Sequence, residues 1–297
     1  MATRVETPYT QRARYYSSLD GFNIQKPAIP AHVFVAERDH AFDAATPTGL
    51  IPCDLSAPLA IAFPATAPFV LARYARIRAG ERLATRFAAS GALYYVISGS
   101  GETVQGGDAI AWDEGDAFCL PGGGATVHVA GAGDCLLYVV TNEPLLAFER
   151  LEPPRSGRAP IEAVHYPADE IQRQLDRIHR LAATTEMPGK SISFGTRGLD
   201  ADHVALPSFT FSMNSLSPGE MQRPHQHNAV AVTLIVSGER CYSMIDGRRV
   251  DWQPWTVMIT PPAEMHSHHN DGDTLARFLI VQDGGLHYHA RTMGFSY

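Results

Sequence analysis

The chain has 297 residues, 45% hydrophobic and 19% charged, with 25 Gly and 21 Pro; this profile is globular and excludes disordered, collagen-like and coiled-coil classes. With 24 Lys plus Arg against 31 Asp plus Glu the formal charge is −7, which leaves no electrostatic footprint for nucleic acid or an anionic membrane and makes small solutes the expected partners. Cys53, Cys119, Cys135 and Cys241 show no CxxC spacing, Met1 to Gly21 lacks the apolar run of a signal peptide, and the most apolar stretch is broken by Pro64 and Pro68, so a soluble cytoplasmic protein is expected.

In chain order, residues 1–59 show no clear periodicity and are expected to form an arm lying on another part of the chain or on a second subunit. Residues 60–150 consist of short segments rich in Val, Ile, Tyr and Phe, punctuated by Gly, Pro and Asp-Gly turns, which predicts strands. Residues 151–189 open on the linker Pro153-Pro154-Arg155-Ser156-Gly157. A helix from Asp169 to Ala182 follows, with Ile171, Leu175, Ile178 and Leu181 on one face. Residues 190–297 return to strand character, and Ile245-Asp246-Gly247-Arg248 is a hairpin signal.

The two strand-rich regions are copies of one another. Arg78 to Glu81 and Ala92 to Gly99 match Ser217 to Glu220 and Ala231 to Gly238 at an offset of 139; the offset then becomes 140, pairing Gly107 with Gly247, Trp112 with Trp252 and Pro121 with Pro261. The expectation is an all-β sandwich or small barrel in duplicate, joined by a short linking helix.

Seven of the 13 histidines fall between His225 and His289. His225 and His227 are two apart on a predicted strand and share a face, as do His266 and His268 some forty residues later. Two strands of one barrel can therefore aim imidazoles into a shared interior. His269 falls on the opposite face, and His287 and His289 alternate with Leu286 and Tyr288, as either lid residues or, the favoured reading, a solvated edge.

This pattern resembles the cupin superfamily, across both copies. The first cupin motif stands as Gly219-Glu220-Met221-Gln222-Arg223-Pro224-His225-Gln226-His227 through Gly238, and the second as Pro261 to Asn270 with Ala263 in the place of Gly. The resemblance implies tandem jelly-roll barrels and a metal held by His225, His227 and His266. Ala231 stands where many cupins carry a Glu ligand, so the site would hold three neutral imidazoles and no protein carboxylate. Arg86, Ala88, Ala92 and Thr126 take the corresponding positions in the first copy, which is then a scaffold without metal or a pocket for something else. His128 falls outside that register and reads as structural.

Among two-barrel cupins, the second copy resembles gentisate 1,2-dioxygenases and their relatives acting on salicylate or 1-hydroxy-2-naphthoate. That resemblance implies a ferrous-iron ring-cleaving dioxygenase for a hydroxylated aromatic acid, with O2 as co-substrate and a dimeric or tetrameric assembly. Mn, Ni or Zn are the other divalent candidates. His268, beside the last ligand, would position oxygen or shuttle a proton, and Asp283 would orient an imidazole. The metal would sit in the second barrel where that family uses the first, and Thr233 stands where a carboxylate-binding Arg is expected, so either another Arg, such as Arg223 or Arg277, serves the carboxylate or the substrate is held differently. A thiol or β-diketone dioxygenase, a metal-dependent hydrolase or isomerase, and a non-catalytic small-molecule binder are the alternatives.

Overall fold

The computed structural model describes residues 6–155, 157–181 and 189–297. The N-terminal arm carries two short helices, α1 (Pro8–Arg12) and α2 (Ser18–Phe22), then β1 (His32–Phe34), α3 (Val35–Phe42) and β2 (Gly49–Pro52). The first jelly roll follows as β3 (Leu71–Ile77), β4 (Arg82–Thr85), β5 (Gly91–Ser98), β6 (Gly101–Gln105), β7 (Asp108–Trp112), β8 (Ala117–Pro121), β9 (Thr126–Ala130) and β10 (Cys135–Thr141), closed by α4 (Glu143–Glu149). The connection holds β11 (Val164–Tyr166), α5 (Ala168–Arg180) and β12 (Lys190–Ser193). The second jelly roll repeats the order as β13 (Thr210–Leu216), β14 (Met221–His227), β15 (Ala231–Ser237), β16 (Cys241–Ile245), β17 (Arg248–Asp251), β18 (Val257–Thr260), β19 (His266–Asn270) and β20 (Ala276–Gln282), then α6 (Gly284–Ala290) and β21 (Phe295–Ser296).

The architecture is therefore all-β, with two tandem jelly-roll barrels. Each has a six-stranded sheet, β11-β8-β5-β10-β3-β2 in the first and β1-β18-β15-β20-β13-β12 in the second, facing a smaller sheet, β4-β9-β6-β7 and β17-β16-β19-β14-β21. The arm laces the halves together, because β1 extends the second barrel's large sheet along β18 while β2 extends the first barrel's along β3. Added strands cover what would otherwise be open sheet edges.

The large sheets are buried on both faces, which explains why β3 and β10 are buried throughout instead of alternating. Their outer faces pack on one another in a single core containing Tyr74, Tyr95 and Tyr138 of the first barrel with Phe211, Val232 and Leu279 of the second. Tyr74 donates its hydroxyl to the Trp255 carbonyl across that seam, at 2.6 Å. Inner faces form separate lumen clusters, one around Tyr94, Trp112 and Phe118, the other around Ile235, Trp252 and Phe278. Helix α5 buries Ile171 and Leu175, as its apolar spacing predicts; the expected end at Ala182 lies outside the described residues.

Candidate metal centre

His225 and His227 sit on β14, and His266 on β19, the neighbouring antiparallel strand. Gln222 pairs with His268 and His225 with His266, so two residues of β14, Arg223 and Pro224, oppose the single Ser267. Such a bulge bends a strand and re-aims its side chains, and it tolerates a proline that has no N–H for the ladder. It brings His225 directly opposite His266, with ring centroids 4.2 Å apart. One ligand nitrogen from each of the three imidazoles lies within 4.8 Å of the others, and all three residues are buried.

The outer nitrogens show which atoms would meet a metal. Each Nδ1 lies 2.8 Å from a backbone carbonyl, His225 on Arg223, His227 on Ala229 and His266 on Glu264. A carbonyl only accepts, so each Nδ1 carries the proton and each Nε2 keeps its lone pair for the interior. Burial holds His225 below its ordinary value and pushes His227 down to about 4 and His266 to about 3. The neutral imidazole is the form that ligates, and the donor set fits a divalent metal. Ala263, in left-handed backbone conformation at φ 63°, ties the turn before β19 to the site by donating its N–H to the His227 carbonyl at 2.7 Å.

A cavity of about 130 Å³ opens over these imidazoles. The large sheet lines it with Ser212, Asn214, Ala231, Ile280 and Gln282, the small sheet with Gln222 and His268 beside the three imidazoles, and the C-terminal segment with Tyr288, Met293 and Phe295. Gln282 reaches His227 Nε2 at 3.1 Å, placing an amide at the lone pair. Strand β21 pairs with β14 and stacks Phe295 on His225, centroids 5.2 Å apart. The sequence gives no sign of this cover: it depends on the chain end folding back over the site. His287 and His289 belong to α6, not to a strand edge, and His287 lies 3.0 Å from the Asn228 amide.

His268 lines the cavity, but its Nδ1 is engaged by Ser243 Oγ at 2.8 Å, and the same oxygen accepts the Trp252 indole N–H at 2.8 Å. An equivalent set occurs in the first barrel, where Thr103 bridges His128 and Trp112 at the same distances. Positions 103 and 243, 112 and 252, and 128 and 268 each differ by 140. His128 is thus in register with His268 and out of register with the ligand position of His266, whose counterpart is Thr126; the single-residue lengthening before β16 carries the offset of 140 through to β19.

Asp283 touches none of the three imidazoles. Its carboxylate accepts the Val230 N–H at 2.9 Å, and burial raises it to about 6. The expected imidazole-orienting carboxylate is replaced by backbone carbonyls, one of them on Ala229 next to the residue Asp283 holds. Neither candidate arginine lines the cavity. Arg277 reaches Gln172 on α5 at 2.5 Å, and the Arg223 guanidinium lies 3.1 Å over the Tyr297 ring.

In the first barrel the matching space has closed to about 10 Å³, lined by Phe87, Tyr94, Gln105 and Thr126 among others. Arg86 is exposed, and Arg73, ion-paired with Glu143 and stacked on Phe87 at 4.8 Å, stands at the mouth near Ala88. Among the described residues the His225, His227 and His266 group is the one metal-competent cluster.

The buried imidazoles set the acid response. His128, held at about 4 by burial, His227 and His266 all lie below the 6.5 of an open chain. The unfolded state binds more protons below pH 6.5, so the stability these groups contribute is complete above that value and is lost as pH falls toward 4 and 3. Asp283 opposes this between 3.8 and about 6, as one group against three. The denaturant midpoint of metal-free protein should fall between pH 7.5 and 5; an unchanged or higher midpoint contradicts the assignment.

Residues 213–282 match the cupin domain family. Over 81 residues the chain is 36% identical to 5-aminosalicylate 1,2-dioxygenase of a Comamonas species, and over 85 residues 35% identical to gentisate 1,2-dioxygenase of a Ralstonia species. These stretches are 27% and 29% of this chain and only 22% and 24% of those relatives, so the matched part spans about a quarter of their length. Fold similarity runs further. A salicylate 1,2-dioxygenase from Pseudaminobacter salicylatoxidans superposes with a TM-score of 0.78 over 95% of this chain and 91% of its own, at 14% identity. Fold and site together define two tandem jelly-roll barrels, of which the C-terminal one carries the cupin-domain match and a buried three-histidine cluster that could hold a metal. Within that class the chain is similar to the gentisate- and salicylate-type dioxygenases, sharing sequence with the former over part of its length and fold with the latter over nearly all of it.

Proposed function

We propose that the protein is a ferrous-iron ring-cleaving dioxygenase acting on a hydroxylated aromatic acid of the gentisate or salicylate type. The observation that carries this reading is the convergence of three neutral imidazoles, with no carboxylate among the lining residues, in a cavity of about 130 Å³. A cation held only by neutral donors keeps its full charge and several open positions, and Ala231 adds no ligand. Iron would supply the redox chemistry that couples an aromatic substrate to O2.

The chain's own residues would do the rest. His225, His227 and His266 hold the ion through Nε2, with their rings fixed by the carbonyls of Arg223, Ala229 and Glu264. Phe295, Met293 and Tyr288 cover the cavity and exclude water. His268, oriented by Ser243 and Trp252, presents an imidazole to the same space for oxygen or proton positioning. Asp283 is a positioning residue, holding the Val230 segment whose neighbour Ala229 fixes His227. The described residues contain no helix long and apolar enough to cross a membrane, and all four cysteines are free and buried, which suits the reducing cytoplasm. A homo-oligomer is part of this reading: Tyr9, Tyr15, Tyr16, Leu19 and Phe22 of the arm are exposed, and exposed apolar groups of this kind mark association surfaces.

The test is dioxygen uptake on mixing anaerobic ferrous protein with gentisate, salicylate and their ring-substituted relatives. Stoichiometric uptake with ring-opened product is expected. Turnover without oxygen would instead establish a metal-dependent hydrolase or isomerase, and binding without turnover a small-molecule binder.

A further inference from the structure

The interior of the second barrel carries polar atoms that no described residue satisfies. Gln222, 8% exposed, lines the cavity, and its Oε1 has no hydrogen-bond partner among the described residues. Thr233 and Thr260, each 1% exposed, carry hydroxyl oxygens that are likewise unpartnered. Strand register places both side chains on the inner face of the large sheet, next to residues that line the cavity. Thr260 pairs with Ala231 and Thr233 with Ile280, and Ala231 and Ile280 both line the cavity. Directly paired residues of an antiparallel sheet share a face, and residues two apart on a strand do so as well.

Buried polar atoms without partners are rare and call for an explanation. Three of them facing the interior of one barrel, Gln222 from the small sheet and the two threonines from the large sheet opposite, point to a ligand. The same lining contains no Arg, Lys, Asp or Glu, so an ionised group pushed against it would lose its hydration with no countercharge.

We infer that Gln222, Thr233 and Thr260 are the specificity-determining residues of this site and bind an uncharged hydroxyl on the ring of the aromatic acid, while a second carboxylate is rejected. This rests on the hydroxyaryl-acid reading above. A hydroxyl donates to the Gln222 oxygen and accepts from a threonine hydroxyl, so one substituent can satisfy both kinds of orphan. A cavity of about 130 Å³ is well below the size that takes drug-like ligands and suits a single small ring.

Zinc-loaded protein, which does not turn over, allows affinity to be read alone by titration calorimetry. The probes are salicylate, its ring-hydroxylated derivatives and 4-hydroxyisophthalate, which carries a second carboxylate. The best ring-hydroxylated compound should bind at least tenfold tighter than salicylate, and the dicarboxylate at least tenfold weaker. Thr233→Val, Thr260→Val and Gln222→Leu should bring the ratio of the hydroxylated compound's affinity to that of salicylate toward one, with zinc content unchanged. The threonine variants lose no hydrogen bond of the free protein, so their melting temperatures should be maintained or raised. Equal affinity for all three classes in the wild type, or undiminished discrimination in all three variants, overturns the inference and leaves the hydroxyaryl-acid reading standing. Retained zinc with no affinity for any probe overturns both.

Discussion

His266→Ala is expected to leave the chain folded and unable to retain metal. The side chain is one of three donors and is held to the backbone by a single contact, the 2.8 Å bond to the Glu264 carbonyl. Its removal costs the fold little and the site a third of its ligands. Losing even an outer partner of a ligand weakens metal binding by about 10–100-fold, so losing the ligand itself should exceed that. His225→Ala should behave in the same way. Arg86→Ala alters an exposed residue of the other barrel and should keep full metal. Elemental analysis of the three purified variants, with melting curves as the control for folding, decides it; full metal in both histidine variants means the ligands are misassigned.

Thr103→Ala and Ser243→Ala should each destabilise the protein strongly, although one lies in a barrel without metal ligands and the other beside them. Each hydroxyl bridges a buried indole N–H and a buried imidazole Nδ1 at 2.8 Å. Deleting it leaves two buried polar groups unpaired, each costing about 1–3 kcal/mol. Exchanging the two hydroxyl residue types, Thr103→Ser and Ser243→Thr, preserves both bonds and should be nearly neutral. Thr103→Ala should retain metal throughout, which separates the structural function of the trio from the cavity that His268 also faces. Denaturant midpoints of the four variants are the measurement, and a neutral Thr103→Ala would show that the trio contributes no stability.

The occurrence of that trio in both barrels shows how duplication and function have diverged. Trp112 and Trp252, with their hydroxyl and histidine partners, preserve the lumen end of each barrel, which is built from the same packing problem twice. At the other end, the second barrel places His225, His227 and His266, while the first places the exposed Arg86, Ala88 and the buried Thr126, and closes its space with Phe87 and Tyr94. The Arg73–Glu143 ion pair stands at that closed mouth.

Much of this was legible from local signals. The repeat, its strands and the pairing of Trp112 with Trp252 follow from turn residues and apolar segments spaced alike in both halves. The alternation of His225 with His227 and the motif positions of His266 are enough to nominate ligands, because residues two apart on a strand share a face. The arm's destination was not legible: β1 and β2 lie on different barrels, and their short, irregular sequences acquire strand geometry only from the edges they cover.

The sequence by itself determined that two similar β-barrels exist, that one is rich in histidine at ligand spacing, and that the other is not. Tertiary structure alone decided what surrounds the metal centre. Gln222, Thr233, Thr260 and Gln282 come from four strands, and Phe295 from a fifth that returns from the chain end. Their meeting depends on register between distant segments, and so does the absence of Arg223 and Arg277 from the cavity lining. Spacing along one strand is a local property fixed by backbone geometry; which unpaired polar groups face one interior is set by how sheets close.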